Sequence, residues 1–503
     1  MEERLREAAT EAAKGSIFLM SGNIMSGAIL ALNSMILARL LGPDRYGLYS
    51  LSISLIPLLV GLSDIGITSF LTRTMALMRN NGEAREHASF GLRIALSISI
   101  FLSIIGILIS GLYSSYILKR PDLSIYVKLA VLAVPFTISA NSAASILLGL
   151  GMAKKSSMVP VLQSTSKLIT SISLVIAGFG VLGAVSAHLI GYLASGVFGL
   201  ILIRRYLSRR ARGSLSSLLG YGIPLYISSI ITMAANQYLI MLLSSSSDFE
   251  IGNYYAAMSL SSALGIVASS IGSSLLPTFS TVLDEGVEKM FRLSVKYSSF
   301  IMVPLAASVM IFSPDVIRIF FGRRYSLSPL YLSMFSVNYL LVGLGSLSIS
   351  PFLSSLGRTE KILTITASNA LFFVISSSIL IKFFGIPGLI AAQILSNVVS
   401  LSLGLIIIRS FNASVDLRSS ASIYISSFIP SVPVLVLGSF IPSPVRIILL
   451  PLYLLLYISL LPIISLKRRD LDFLREIASR MGMLRRAADL ILSYEERIMG
   501  MKS

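Results

Sequence analysis

Long apolar stretches constrain this chain more than any other feature of its sequence. Stretches of about 20 residues or more recur between residues 15 and 466, and each is long enough as a helix to cross roughly 30 Å of hydrocarbon. Of the 503 residues, 54% are hydrophobic and 13% are charged, which lies outside the range of soluble domains. The sequence therefore predicts an all-α, polytopic membrane protein with no sizeable soluble domain.

The hydropathy pattern predicts fourteen transmembrane helices. We place them at about 15–41, 46–72, 88–113, 123–150, 156–178, 182–203, 217–243, 250–280, 291–313, 325–353, 360–382, 386–408, 419–440 and 444–466. The first is too long for a signal-peptide core and is expected to be retained. The chain has no Cys and only two His, so we expect no disulfide, no metal site and no cofactor.

The placement of positive charge predicts the orientation of the chain. With the N-terminus inside, 28 of the 41 Lys and Arg fall in cytoplasmic segments and 8 in outer loops. The positive-inside rule then places both termini in the cytoplasm, and we expect the plasma membrane as the location. The net charge of +18 points to anionic lipid headgroups as partners, with no role for nucleic acid. The tail 467–503 reads as an amphipathic helix on the inner leaflet.

Internal repetition predicts two similar lobes. "GVLGAVSAH" at 180–188 returns as "GIPGLIAAQ" at 385–393, an offset of 205. "YGLY" at 46–49 matches "IGNY" at 251–254 at that offset, and "LGMAKK" at 150–155 matches "LGRTEK" at 356–361 at an offset of 206. An offset that spans an even number of crossings predicts a parallel, pseudo-symmetric repeat. We expect the following parts: an N-lobe (1–213), a C-lobe (214–418), an added helix pair (419–466) and the tail (467–503).

Asp64 is the one acidic residue that falls well inside a predicted span. A carboxylate in the membrane interior is unfavourable unless it is paired or faces water. Asn23 lies equally deep in the first helix, so the two side chains could meet. Two interpretations are open: a hydrogen-bonded residue that fixes the first two helices, or a site that couples transport to H⁺ or Na⁺.

Lys167 is the deepest cation of the chain, eleven residues into the fifth span, where a long side chain cannot easily reach either surface. It is expected to face a wet cavity. Four intramembrane amides, Gln163, Asn338, Asn369 and Asn397, are expected to line the same polar seam between the lobes, where transporters with repeats bind substrate. Hydrogen bonds between helices are the alternative for each amide.

Four further cations lie within spans but close to their ends: Arg39, Arg93, Lys128 and Lys296. They are candidates to guide an anionic headgroup along a cleft, and anchoring at the membrane surface is the alternative for each. His188, in the outer third of the sixth span, is interpreted as a packed residue between helices.

The runs "ILARLLGPDRYGLYSLSISLIPLLVGLSDIGITSFLTR", "GSIFLMSGNIMSG" and "LLGLGMAKKSSMVPVLQSTSKLI" resemble the polysaccharide-export branch of the multidrug, oligosaccharidyl-lipid and polysaccharide (MOP) exporter superfamily. The resemblance is strongest to flippases of lipid-linked oligosaccharides. It implies two lobes around a central cavity and alternating access that moves a polyprenyl-linked glycan from the inner to the outer leaflet. Peptidoglycan-precursor flippases have an Arg near the position of Asn33, so that cargo is disfavoured.

The predicted function is therefore a flippase with a cationic cavity rather than an enzyme. Its expected partners are the lipid-linked glycan and membrane lipids, with association with glycosyltransferases as a further expectation, and we expect a monomer. A cation-coupled multidrug antiporter of the same superfamily is the first alternative, which Lys167 disfavours. A membrane glycosyltransferase or polymerase is the second, disfavoured because the predicted outer loops are too short to carry catalytic groups. A passive scramblase or scaffold is the third.

Overall fold

The part of the chain that the structure describes is mostly helical. The computed structural model describes residues 2–77, 83–211, 223–280, 287–466, 470, 492–496 and 500. No strand occurs among these residues, which confirms the predicted all-α class.

The described residues up to 211 form eight α-helices. These are α1 (Glu2–Ser52), α2 (Leu55–Asp64), α3 (Ile67–Leu77), α4 (Glu83–Leu112), α5 (Ser124–Val131), α6 (Val134–Gly149), α7 (Ala153–Leu174) and α8 (Gly180–Ile203). Short turns of π- or 3₁₀-helix extend several of them, at Tyr113–Ile117, Pro121–Leu123, Val175–Phe179 and Arg204–Tyr206.

The described residues from 223 to 466 form nine more α-helices. These are α9 (Ile223–Leu243), α10 (Asp248–Ser280), α11 (Val287–Phe320), α12 (Ser328–Leu340), α13 (Ile349–Ser355), α14 (Thr359–Arg409), α15 (Leu417–Phe428), α16 (Ser431–Ser439) and α17 (Leu450–Ile464). Two 3₁₀ segments, Leu341–Leu344 and Val445–Leu449, precede α13 and α17.

The number of membrane crossings follows from the lengths of these helices. Ten stretches of the described chain are long and apolar enough to cross a membrane, and a bent pair, Ser328–Leu344 with Ile349–Ser355, makes an eleventh. Three of the ten are 47 to 54 residues long, enough for two crossings each at about 20 residues per crossing. Glycines with non-helical backbone, Gly42, Gly178 and Gly385, break them. With each of the three taken as two crossings, the described helices supply the fourteen that the sequence predicts.

The repeated motifs have repeated backbone geometry. Gly180 and Gly385, at the 205-residue offset, have φ, ψ values of 52°, −128° and 59°, −139°. Gly151 and Gly357, at the 206-residue offset, have φ values of 76° and 69°. These left-handed values are open to glycine and unfavourable for most side chains. Equivalent positions of the repeat therefore make the same turn before the following helix.

Contacts divide the chain into two compact units that differ from the predicted lobes. The first unit comprises Met1–Ile266, Arg324–Leu327 and Thr366–Ser396, and the second comprises Val267–Arg323, Ser328–Ile365 and Asn397–Ser503. Helix α9 and much of α10 thus pack with the first eight helices. The lobe boundary at 213/214 stays a prediction.

In the first unit, small residues let the helices approach closely. A Cβ added to Gly199 of α8 would lie 2.8 Å from Ala143 Cβ of α6. A Cβ added to Gly191 would lie 2.9 Å from Lys167 Cβ of α7. The hydroxyl of Ser26 on α1 donates to Pro160 O of α7 at 3.0 Å. Close contact of this kind stabilises membrane helices, because lipid removes the hydrophobic driving force that acts in water.

In the second unit, aromatic side chains form the centre of the core. Phe352 of α13 packs edge-on against Phe279 and Phe291, with ring centroids 5.7 and 5.3 Å apart. All three are buried. A further cluster joins Phe300 of α11 with Tyr457 of α17 and other apolar side chains.

Candidate substrate-binding site

Lys167 is buried between helices of the first unit. It lies near the middle of α7, and its side chain is 8% exposed. Gly191 of α8 leaves room for the stem of the lysine side chain. Gln163, one turn earlier on α7, is also buried, and its backbone carbonyl oxygen packs against Gly191. That Lys167 faces a wet cavity stays a prediction.

Two side chains of α8 complete the surroundings of Lys167. His188 and Tyr192 are close enough to interact electrostatically with it, and their rings lie 5.0 Å apart, centroid to centroid. His188 is buried, and its Nδ1 atom has no hydrogen-bond partner in the described part of the chain. Tyr192 is partly exposed. The sequence interpretation of His188 as a packed residue between helices did not foresee its place beside Lys167.

No carboxylate in the described part of the chain neutralises the charge of Lys167. No carboxylate of the described chain forms an ion pair with it, and Tyr192 is the hydroxyl group in electrostatic contact. An isolated charge in a low-dielectric setting is strongly unfavourable unless an opposite charge or water compensates it. The cluster of Lys167, His188 and Tyr192, which we call the Lys167 cluster, is therefore suited to an anion.

Asn33 connects the Lys167 cluster to α1. Ser171, one turn after Lys167 on α7, donates its hydroxyl to Asn33 Oδ1 of α1, and both side chains are buried. The amide of Asn33 carries no charge. The basic groups of the site are therefore Lys167 on α7 and His188 on α8.

Asp64 lies at a break between two helices. α2 ends at Asp64, Ile65 has a left-handed backbone with φ of 38°, and α3 begins at Ile67. The Asp64 carboxylate accepts hydrogen bonds from the backbone N–H of Thr68 at 3.0 Å and from its hydroxyl at 2.9 Å. First-turn N–H groups have no acceptor within their own helix, so Asp64 caps α3. Asn23 is exposed, and no hydrogen bond joins it to Asp64 in the described chain. Whether Asp64 also couples transport to an ion stays a prediction.

The intramembrane amides lie in different parts of the structure. Asn397 Nδ2 of α14 donates to Asn338 Oδ1 of α12 at 2.8 Å, within the second unit. Gln163 lies beside Lys167 in the first unit, and Asn369 lies on the part of α14 that belongs to that unit. The pair of Asn338 and Asn397 thus makes a hydrogen bond between helices, the alternative role that the sequence allowed.

The cations near the ends of the spans have varied surroundings. Arg39 and Lys128 are exposed, and Arg93 is exposed and donates to Arg209 O at 2.7 Å. Lys296 differs, because its Nζ lies 2.6 Å from Asp470 Oδ2 and 5.8 Å from the centre of the Phe300 ring. Lys296 is therefore paired with a carboxylate of the tail, and the sequence did not predict this partner. Most of the predicted tail helix lies outside the described residues.

A cluster of buried tyrosines at the C-terminal end of α1 was not predicted from the sequence. Tyr46, Tyr49, Tyr254 and Tyr325 are buried there, and Tyr325 donates to Ala38 O at 2.7 Å. The repeat provided a signal, since Tyr49 and Tyr254 occupy equivalent positions of "YGLY" and "IGNY".

The repeat-equivalent glycines of these two motifs touch one another. A Cβ on Gly47 would lie 2.6 Å from Asp248 O and 2.9 Å from Gly252 N, and Gly252 packs directly on Pro43 O. Beside them, Arg120 Nη1 and Asp248 Oδ1 form an ion pair at 2.5 Å. We call the contact of Gly47 and Gly252 the glycine contact.

Gln237, from the "NQY" run of α9, joins a buried polar network. Tyr113 donates to Gln237 Oε1 at 3.0 Å, and Gln237 Nε2 donates to Ser54 O at 3.2 Å. No group of three His, Asp or Glu side chains that could hold a metal ion occurs in the described part of the chain.

Comparison with known proteins identifies the family. The sequence profile of the family described as "Polysaccharide biosynthesis protein" matches residues 36–329. The chain belongs to this family. That membership confirms the resemblance to the polysaccharide-export branch of the MOP superfamily.

Two relatives match along most of the chain. A predicted O-antigen transporter of Shigella flexneri is 23% identical over 373 residues, which cover 69% of this chain and 85% of the relative. An uncharacterised membrane protein of Methanocaldococcus jannaschii is 24% identical over 416 residues, covering 76% of this chain and 95% of the relative.

Solved structures share the fold. A lipid II flippase, MurJ, in an inward closed conformation matches with a TM-score of 0.75 and 16% identity, covering 89% of this chain and 98% of that one. An inward-facing multidrug resistance transporter of the MATE family and MOP superfamily matches with a TM-score of 0.60 and 19% identity, covering 78% and 94%. Family and fold together make this protein a multi-pass membrane transporter of that superfamily.

Proposed function

We propose that this polysaccharide biosynthesis family member flips a lipid-linked oligosaccharide from the inner to the outer leaflet by alternating access. The carrier is a polyprenyl phosphate or pyrophosphate, and Lys167 binds its phosphate group. The observation that carries the proposal is a buried lysine at mid-helix with no ion-paired carboxylate in the described chain. A cargo with negative charge would compensate the unfavourable energy of that lysine, and a cationic drug would increase it.

The neighbours of Lys167 suit a phosphate group. The free Nδ1 of His188 and the hydroxyl of the partly exposed Tyr192 can each form a hydrogen bond to a phosphate oxygen. Hydrogen bonds to charged groups are stronger than those between neutral groups. Family membership and the O-antigen transporter among the relatives support a glycan as the cargo. In this proposal both termini lie in the cytoplasm, so the phosphate enters from the inner leaflet.

The experiment compares three variants in proteoliposomes. The probe is a fluorescent oligosaccharide linked to polyprenyl pyrophosphate, and a membrane-impermeant quencher measures its transfer between leaflets. Lys167→Ala should slow transfer by at least about tenfold, since a hydrogen bond to a charged group contributes about 1.5–3 kcal/mol. Lys167→Arg should retain more activity because it retains the charge.

Lys155→Ala is the matched control, because it removes an exposed lysine of α7 itself. The proposal is wrong if Lys167→Ala transfers the probe at the wild-type rate, or if Lys155→Ala slows transfer equally. Ethidium extrusion, measured with the same vesicles, tests the antiporter alternative. Extrusion without transfer of the glycan probe would support the antiporter instead.

A further inference from the structure

A second candidate binding site lies in the second unit, away from Lys167. An open cavity of about 470 Å³ is lined by residues of α11, α12 and α16 and of the 3₁₀ segment before α17, a size typical of small-ligand sites. Its walls are mostly apolar and include Met310, Leu330 and Leu435. Leu330 and Leu435 are 53% and 48% exposed. Because these residues belong to membrane-crossing segments, the cavity opens toward lipid.

One charged side chain, Arg446, lines this cavity. Its Nε donates to Asp315 Oδ2 at 3.0 Å, and Asp315 is 0% exposed. The other oxygen of Asp315 has no hydrogen-bond partner in the described chain. Asp315 therefore fixes Arg446 through Nε alone, and the two Nη groups have no acceptor among the hydrogen bonds of the described residues. A guanidinium held in this way presents a planar pair of donors, the geometry that suits phosphate.

The charge around the cavity favours an anion. Arg318, one turn after Asp315 on α11, is exposed and donates to Ser443 O at 3.1 Å. The two guanidinium groups outweigh the single carboxylate, so the local net charge is positive. Arg318 lies in the last turn of α11, and Arg446 contacts the same end of this helix through Asp315. The predicted orientation assigns this end to the outer surface, where lipid phosphates are found.

We propose that this cavity binds the phosphate and the first part of the chain of an anionic membrane lipid from the outer leaflet. The apolar walls contact the lipid chain, and the Nη groups of Arg446 bind the phosphate. This site is independent of the proposed flipping of a glycan, because its evidence comes from the second unit alone.

The test measures lipid binding by the purified full-length protein. Native mass spectrometry compares retention of phosphatidylglycerol with that of phosphatidylcholine. We expect the wild type to retain phosphatidylglycerol preferentially and Arg446→Gln to weaken this binding about tenfold or more. Arg323→Gln is the matched control, because Arg323 is an exposed arginine after the same helix that does not line the cavity.

Two further variants cover the case in which Arg446→Gln does not fold, since it leaves the buried Asp315 without its partner. The double variant Asp315→Asn/Arg446→Gln removes both charges, and Leu435→Trp fills the cavity mouth while leaving the ion pair intact. Both should lose the preference for phosphatidylglycerol. Equal retention of the two lipids by the wild type would overturn the proposal, and so would an unchanged preference in both further variants. Displacement of the lipid by inorganic phosphate alone would overturn the assignment to a lipid.

Discussion

The close packing of Gly252, a member of the glycine contact, against Pro43 of α1 gives a testable prediction for Gly252→Ala. The added Cβ would lie on Pro43 O and 2.6 and 2.9 Å from the Pro43 C and Cα atoms. These are backbone atoms at the break of α1, so they cannot rotate away as a side chain could. Overpacking of this kind costs about 1–3 kcal/mol. If separation of α10 from α1 relieves the overlap, the separated population rises by about 5- to 150-fold.

A single cysteine can report this separation, because the natural chain has none. Ala256, one turn after Gly252 on α10, is 0% exposed, so Ala256→Cys should react slowly with a water-soluble maleimide. Adding Gly252→Ala should raise the labelling rate by the factor given above. Gly111→Ala is the matched control, because its Cβ would make only an ordinary contact, 3.8 Å from Ser124 Oγ. An unchanged rate with Gly252→Ala, or an equal rise with Gly111→Ala, would refute the reasoning.

Three more predictions concern caps and the tail. Asp64→Ala should lower stability by about 1 kcal/mol through loss of the α3 cap, while Asp64→Asn keeps the cap; in transport assays, loss of gradient dependence in Asp64→Asn would instead identify a coupling site. Burial raises the pKa of Glu495 from 4.5 to about 7, so docking of segment 492–496 should be strongest at low pH and weaken by up to about 3 kcal/mol as pH rises from about 4.5 to about 7. Hydrogen exchange of this segment measures the change, and Glu495→Gln should remove the pH dependence. Asp470→Asn should free Lys296 and speed proteolysis of the tail, and unchanged proteolysis would show that the ion pair contributes little.

The sequence predicted the features that depend on local pattern. Fourteen crossings follow from the lengths of apolar runs, and the repeat predicted equivalent turns at Gly180 and Gly385 because each motif contains its own glycine. These properties require no knowledge of which helices are neighbours.

Features that depend on distant partners were not accessible in this way. Lys296 pairs with Asp470, 174 residues away, and no periodicity encodes that contact. His188 meets Lys167 only because α8 packs on α7 at Gly191. Asp64 was expected inside one continuous helix over 46–72, yet the left-handed Ile65 and the following glycine end α2 there. "DIGIT" could have signalled the cap, since Asp is favoured at helix N-termini.

The interruption after Asp64 has a mechanical consequence. A continuous helix can bend sharply only by breaking backbone hydrogen bonds of its ladder. Here that ladder is already divided at Ile65, and the carboxylate of Asp64 satisfies the first turn of the following segment. The angle between α3 and α2 can therefore change by rotation at Ile65 and Gly66 alone, without loss of hydrogen bonds within either helix.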